Sequence, residues 1–389
     1  MLASSPSSID PGLARLAAAV DANALTGSGL LAQLSGVPDP RARRGVRHSI
    51  TTILAVAACA VLAGCRSFTA IGEWAANAPD QVLAALGAGC APCESRIRRT
   101  LQRLDGDRLD TAIGRWSARS SEPPAGRRRA VAVDGKTMRG SASRTADARH
   151  LLAAIDHRAG VVLGQVEVAR KASEISMFSR LCDRVESLSG VVITVDALHV
   201  QKAHANYLVL ERAAHYLITV KGNQPTLHQQ LTALPWNDVP AVHTRGGRAH
   251  GRVEKRTVKI VTVKTGILFP HARQALQITR KTRRPRSKKW STEVAYAVTS
   301  LAAEQATAAE LAGWVRGHWA IENRLHWVRD VTYDEDRSQI RTATGPRAMA
   351  ALRNLAVSLL RINGVTNIAQ ALRHHAWDPL RPAALLLTS

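Results

Sequence analysis

Acidic residues are scarce in this chain. Thirty Asp and Glu stand against 53 Lys and Arg, a formal charge of +23 over 389 residues. That shortage implies a polyanionic partner, with phosphate neutralisation its simplest explanation. Only ten of the basic residues are Lys; an Arg excess can follow GC-rich coding, whereas the net charge cannot be dismissed that way. Cysteine is sparse too. The five at positions 59, 65, 90, 93 and 182 form no even, regularly spaced set, which excludes a disulfide framework and suits a reducing cytoplasm. Cys90 and Cys93 make a C-x-x-C, but no second pair follows at zinc-finger spacing. Long hydrophobic runs are missing as well: Ile50–Cys65 is too short to span a bilayer and is bracketed by Arg47, His48 and Arg66, so it reads as a buried helix. The stretch Met1–Pro11 is rich in Ser and Pro and lacks the basic start of a signal peptide. There is no internal repeat and no long low-complexity segment.

What is present is enough apolar residue, 46%, to fill the cores of two or three domains. Residues 1–125 read as helical, with Ser49 a candidate cap for a helix over 50–63 and a second amphipathic helix over 94–107. The turn-rich stretch 38–45 and the second helix carry Arg41, Arg43, Arg44, Arg98 and Arg99, which together suit either a DNA-binding helical module or a solvated basic face. A Pro- and Arg-rich linker over 121–129 precedes a change of texture. Strands are expected at 130–134, 151–156, 161–168, 191–195 and 215–220, with helices over 173–187 and 201–213. Three strands followed by strand–helix alternation indicate a mixed sheet covered by helices, in the order of a ribonuclease-H-like fold. The predicted division is a helical region 1–125, a first α/β segment 126–225, a β-rich insertion 226–303 and a helical segment 304–389. The insertion surrounds a basic run, 280–289, with seven Lys or Arg in ten positions.

Two aspartates end apolar strands: Asp134 in V-A-V-D-G-K and Asp196 in V-V-I-T-V-D-A. A single Asp there is commonly a turn or cap residue. Two at the ends of buried strands in this order are better explained by a shared metal, because an unpaired carboxylate is costly to bury. Divalent metals are what phosphodiester cleavage requires, and Mg²⁺ prefers carboxylate oxygens. A third acid is expected from the helical run H-W-A-I-E-N-R-L-H-W, where His318, Glu322, His326 and Arg329 share a face, with His318, Trp319, His326 and Arg329 as candidate DNA contacts. Asp330, Asp334, Glu335 and Asp336 compete with Glu322, and helical spacing alone does not choose between them. Lys136, Lys221, Asn223 and Gln224 follow strands and suit either a grip on phosphates or ordinary turns. Trp319 and Trp327 read as helix-packing residues in preference to platforms for an unpaired base.

The segments V-D-G-K-T-M-R-G (133–140), V-D-A-L-H (195–199), I-T-V-K-G-N-Q (218–224) and H-W-A-I-E-N-R-L-H-W (318–327) resemble the ISAs family of insertion-sequence transposases, also known as H-repeat-associated proteins. V-P-D-P-R-A-R-R-G-V-R-H (37–48) is similar to their N-terminal associated domain. The resemblance covers nearly the whole chain. It implies a DDE catalytic domain in which Asp134, Asp196 and Glu322 hold Mg²⁺, with Mn²⁺ as a substitute, and a β-rich insertion that forms a separate lobe beside the DNA. It also implies a bacterial, nucleoid-associated enzyme that acts on element ends and target DNA as a homo-oligomer. The alternatives are a domesticated or inactive DNA-binding descendant and a nuclease that never transposes. Two departures stand out. At the places of a Y-R-E-K signature the chain has Val315, His318, Glu322 and Arg329, and where relatives read K-x-N-E-I from Lys171 it has Ser173 in the Asn position.

Overall fold

A computed structural model describes residues 29–389, apart from Gly45, Arg170, Lys171, His250, Arg286 and Lys288. Six helices come first: α1 (Leu30–Ser35), α2 (Ile50–Leu62), α3 (Phe68–Asn77), α4 (Asp80–Ala85), α5 (Glu94–Leu101) and α6 (Gly106–Arg119). Ser49 caps α2 by accepting the Thr52 N–H at 3.0 Å. The single helix expected over 94–107 is two, because Asp105 caps a new one by accepting the N–H groups of Asp107 and Arg108.

A nine-stranded mixed sheet follows, in the spatial order β3-β2-β1-β4-β5-β9-β8-β7-β6. Its first part comprises β1 (Ala130–Met138), β2 (Arg149–Asp156), β3 (Val162–Val168), β4 (Val192–Val195) and β5 (His215–Val220), with α7 (Glu174–Cys182) and α8 (Lys202–Asn206) between strands. β1, β4 and β5 are parallel neighbours, and β2 runs antiparallel to both β1 and β3. These strands are apolar on both faces because both are covered: α7 side chains such as Phe178 and Leu181 lie on one, and Ile321 and Leu325 on the other. Lys171, of the K-A-S-E-I motif, lies outside the described residues. Ser173 of that motif caps α7, accepting the Ser176 N–H. Ser and Asn are both strong N-caps, so the exchange preserves the helix start.

After α9 (Pro225–Thr232) come β6 (His243–Ala249), β7 (Arg252–Thr262), β8 (Gln274–Arg283) and β9 (Ser291–Thr299). These strands do not make the separate lobe expected of the insertion. β9 pairs antiparallel with β5 and carries β8, β7 and β6 with it, so they extend the same sheet. Tyr296 pairs with Val220, the last residue of β5, and the ladder continues to Ser291 and Arg283. At ~3.4 Å per residue, the five β9 residues before Tyr296 rise roughly 17 Å past the end of β5. β6, with Gly246 and Gly247 in a polar run, has no alternation by which to be recognised in the sequence.

The last segment begins with α10 (Ala308–Gly317), which continues as π-helical turns Glu322–His326 and Val328–Thr332. The helical segment is interrupted over 333–344, where Asp334 takes a left-handed conformation (φ +53°). α11 (Gly345–Ile362), α12 (Ile368–Ala376) and α13 (Leu380–Leu387) then pack against α2 and α6, so helices from both ends of the chain share one core. No helix among the described residues is long and apolar enough to cross a membrane.

Candidate active site

β1 and β4 run parallel with Val133 opposite Val195, so Asp134 and Asp196 follow on adjacent strands at one level, ~4.8 Å apart along the ladder. Asp134 is not the last residue of its strand: β1 continues to Met138, held by β2 alone once β4 has ended. Its Oδ1 accepts the Gly135 N–H at 2.9 Å. Burial raises its pKa, and the nearby charges of Asp196 and Glu174 push the same way against the pull of His326. Asp196 caps the short turn 197–199, accepting the Leu198 N–H at 2.9 Å.

Glu322 reaches Asp134 from the helix across the sheet face, and Asp196 is not among the ligand atoms that meet there. Ligand atoms of Asp134, Glu322 and His326 all lie within 4.8 Å of one another, a group able to hold a metal ion. His326 is buried between the two acids, its Nδ1 3.0 Å from Glu322 Oε2 and 3.7 Å from Asp134 Oδ2. The contact with His326 holds Glu322 below the usual carboxylate range. The helix places these groups because Ile321 and Leu325 pack on Ala132, Ala153 and Ile155, which turns residues 322 and 326 to the sheet end. Its π turns add a residue per turn, a departure often found at functional sites.

Several expected DNA contacts are spent inside the protein. Arg329 is 0% exposed and pairs with Glu335 at 2.7 Å, so it offers nothing to DNA. Lys136, 8% exposed, is held by Asp330 at 2.5 Å. His318 is buried against Thr194, and burial drives its pKa down to about 4. His326 is likewise buried beside the acids. Lys221 and Asn223 are exposed near the site, with the Asn223 amide donating to the Ala197 carbonyl at 2.8 Å, and Gln224 is half-buried behind them. Trp319 and Trp327, expected to pack within the protein, are instead 54% and 53% exposed, because the intervening apolar residues Ile321 and Leu325 hold the other side of the helix.

The acids that competed with Glu322 have other partners. Glu335 is buried between Arg329 and Arg353, Asp334 faces Arg66, and Asp336 lies near Lys136 and Arg139. In the helical region, Arg43, Arg44 and Arg99 are exposed and have no acidic partner among the described residues, whereas Arg41 is paired with Asp39 and Arg98 with Glu94. Arg96 and Arg103, interleaved in the same basic stretch, join Arg41 and Arg99 in lining one cleft.

One group near the acids escaped the sequence reading. Glu174 lies with Oε1 2.6 Å from His150 Nε2 and Oε2 3.2 Å from His199 Nε2. These two contacts hold its pKa down at about 2. The signal was present in the S-E start of α7 and the final His of V-D-A-L-H, but nothing local joins residues 150, 174 and 199.

Residues 125–359 match the family described as Transposase DDE domain, and residues 31–117 match one described as DDE_Tnp_1-associated. The chain is 30% identical over 354 residues to YncI of Escherichia coli O157:H7, named as a candidate transposase, covering 85% of this chain and 87% of that one. It is 26% identical over 383 residues to YhhI of Escherichia coli strain K12, by name an H-repeat-associated candidate transposase, covering 92% of this chain and 98% of that one. Among solved structures, a piggyBac transposase synaptic complex with hairpin DNA aligns with a TM-score of 0.40 and 9% identity, over 94% of this chain and 77% of that one.

Proposed function

This chain belongs to the DDE transposase family, and we propose that it cleaves DNA at the ends of an insertion sequence and joins the 3′ ends to target DNA, with Asp134, Asp196 and Glu322 as the metal-holding acids. The observation that carries this reading is their placement: two aspartates at one level on adjacent parallel strands, and a glutamate from a helix more than 100 residues later brought to the first of them. The strand order β3-β2-β1-β4-β5, with β2 alone reversed, is that of a ribonuclease-H-like core and supports the same reading.

The donor set fits Mg²⁺ or Mn²⁺, since carboxylate oxygens are the hard ligands these ions prefer. His326 leaves its buried Nε2 without a partner while its Nδ1 meets Glu322, so its part is to orient that carboxylate. When bound, such ions activate the attacking oxygen and neutralise charge on the phosphate. The protein's own work is to hold the acids apart at a set distance and to supply cations for the flanking backbone, the exposed Lys221 among them. In the first step a water oxygen bonds to phosphorus as the bond to the 3′ oxygen breaks, leaving a 3′-hydroxyl. In the second, that hydroxyl attacks a target phosphorus and displaces the target's own 3′ oxygen.

The test is nicking and strand transfer on DNA carrying the element's ends. Asp134→Asn, Asp196→Asn and Glu322→Gln should each abolish both steps with Mg²⁺ or Mn²⁺, leave DNA binding in place, and find no rescue in Ca²⁺, whose looser coordination suits the chemistry poorly. Robust nicking by any one variant would remove that residue from the set. End binding without cleavage by the unaltered chain would leave a DNA-binding descendant as the better reading.

A further inference from the structure

Glu174 is an anion placed where the protein already has two. Its charge acts unfavourably on Asp134, and a neutral residue at the same helix start would avoid that repulsion. Yet the carboxylate is firmly held. His150 grips one oxygen and His199 the other, and each imidazole belongs to a segment that carries a catalytic aspartate or pairs with one. His150 stands on β2 directly across the ladder from Thr137, three residues beyond Asp134, and its Nδ1 lies 2.9 Å from the Thr137 hydroxyl. His199 ends the turn that Asp196 caps; it is buried and its ring lies against Phe178. Between the two, the carboxylate lies over Gly135: a Cβ at that glycine would come within 2.3 Å of Glu174 Oε1 and 2.6 Å of His150 Nε2. The glycine beside the catalytic Asp134 is therefore required by Glu174, since its φ is not in the left-handed region.

We propose that Glu174 is a positioning residue for the catalytic acids: clamped by His150 and His199 across the bare backbone of Gly135, it sets the separation of Asp134 and Asp196 that metal binding needs. This rests on the transposase reading of those acids. It accounts for the repulsion, which is a cost only until cations enter the cluster. It also explains why Glu174 is tethered to both strand ends and not to one.

The experiment uses the full chain with Glu174→Ala, Glu174→Gln, Gly135→Ala and the Gly135→Ala/Glu174→Ala double variant. Three quantities are read: nicking rate in Mg²⁺ and in Mn²⁺, Mn²⁺ affinity of the DNA-free protein by calorimetry, and melting temperature. Loss of a residue that orients metal ligands lowers activity or affinity roughly 10–100-fold. Glu174→Ala should fall in that range with Mg²⁺, recover part of the loss in Mn²⁺, bind Mn²⁺ more weakly, and melt at or above the parent temperature. Glu174→Gln keeps the shape without the charge and should fall between the two, which keeps the test open if the alanine variant fails to fold. Gly135→Ala should reproduce the defect, and the double variant should be no worse than the worse single one. Equal losses in both metals that follow a drop in melting temperature would reduce Glu174 to a structural role and overturn the proposal. So would unchanged Mn²⁺ affinity, or single-variant losses that multiply in the double. If the unaltered chain nicks in neither metal, the transposition reading fails on its own, and the calorimetry still decides the clamp.

Discussion

At the scale of single residues, the strongest constraint outside the site is Glu335. Its carboxylate is fully buried with Arg329 and Arg353, at 2.7 and 2.9 Å, and the Arg353 guanidinium also reaches the Arg66 carbonyl at 3.4 Å. Burial alone would raise its pKa; the two guanidinium groups outweigh that and hold it at about 2. The folded value lies below the unfolded one of ~4.3, so folding favours the ionised form. The resulting stability is present in full above pH ~4.3 and is lost as pH falls from there towards 2. Glu335→Gln would leave two buried cations without their counter-charge, which costs about 3–5 kcal/mol when one partner of a buried pair is removed. Chemical denaturation at pH 7 should register that loss, and the variant's stability should no longer share the acid-side decline. A variant as stable as the parent would show that the buried cations do not depend on this acid.

At the scale of elements, the β arm is the part whose position the sequence did not disclose. Beyond the end of β5, Arg256 and Arg280 are partly neutralised by Glu254, and Arg280 also meets Glu293. On the other face Lys255 stands directly opposite Lys281 with no carboxylate partner among the described residues, and Arg283 stacks on the Trp290 ring at 5.2 Å. Like charges opposed across a ladder are destabilising, and a phosphate between them would relieve the repulsion. The arm rises past the level of Asp134 and Asp196 on the side their strands point to, so under the transposase reading it is expected to meet DNA beyond the scissile bond. Lys255→Glu with Lys281→Glu should weaken DNA binding. It should also lower the dependence of log affinity on log salt by roughly 0.9 for each phosphate that the arm no longer neutralises. An unchanged slope would take the arm out of the DNA interface.

At the scale of the whole molecule, the helical N-terminal region is not an appendage. Leu109, Ile113 and Trp116 of α6 belong to the same core as Leu352, Leu355 and Leu359 of α11. A buried polar chain ties the regions as well: Gln165 of β3 bonds Asp110 of α6 and Asn354 of α11, and Asp110 holds Arg347. A fragment 126–389 would uncover that core, and each large apolar side chain exposed forfeits roughly 1.5–3 kcal/mol. We expect it to aggregate or to lose its near-UV circular dichroism; a soluble fragment with native-like tertiary signal would show the region to be dispensable. End recognition is therefore better tested in the full chain, by replacing the unpaired Arg43, Arg44 and Arg99.

The sequence by itself determined the strands that carry the acids. Apolar runs ending in Asp134 and Asp196 are local patterns, and the parallel ladder turns two such runs into neighbouring ends. It also determined the charge, and the Ser49 and Ser173 caps, since each depends on residues a few positions apart. Only the tertiary structure decided which acids meet. Glu322, Glu335 and Asp336 are all carboxylates close together in the chain, but Ile321 and Leu325 pack on the sheet and turn Glu322 to Asp134, while Arg353, far along the chain, draws Glu335 away. The same distinction explains the basic residues: a guanidinium is available to DNA only if no carboxylate claims it, and Arg329 and Glu335 meet only because the helix ends and the chain doubles back between them. Glu174 is the extreme case, joined to His150 and His199 by strands and a turn whose pairing no local pattern encodes.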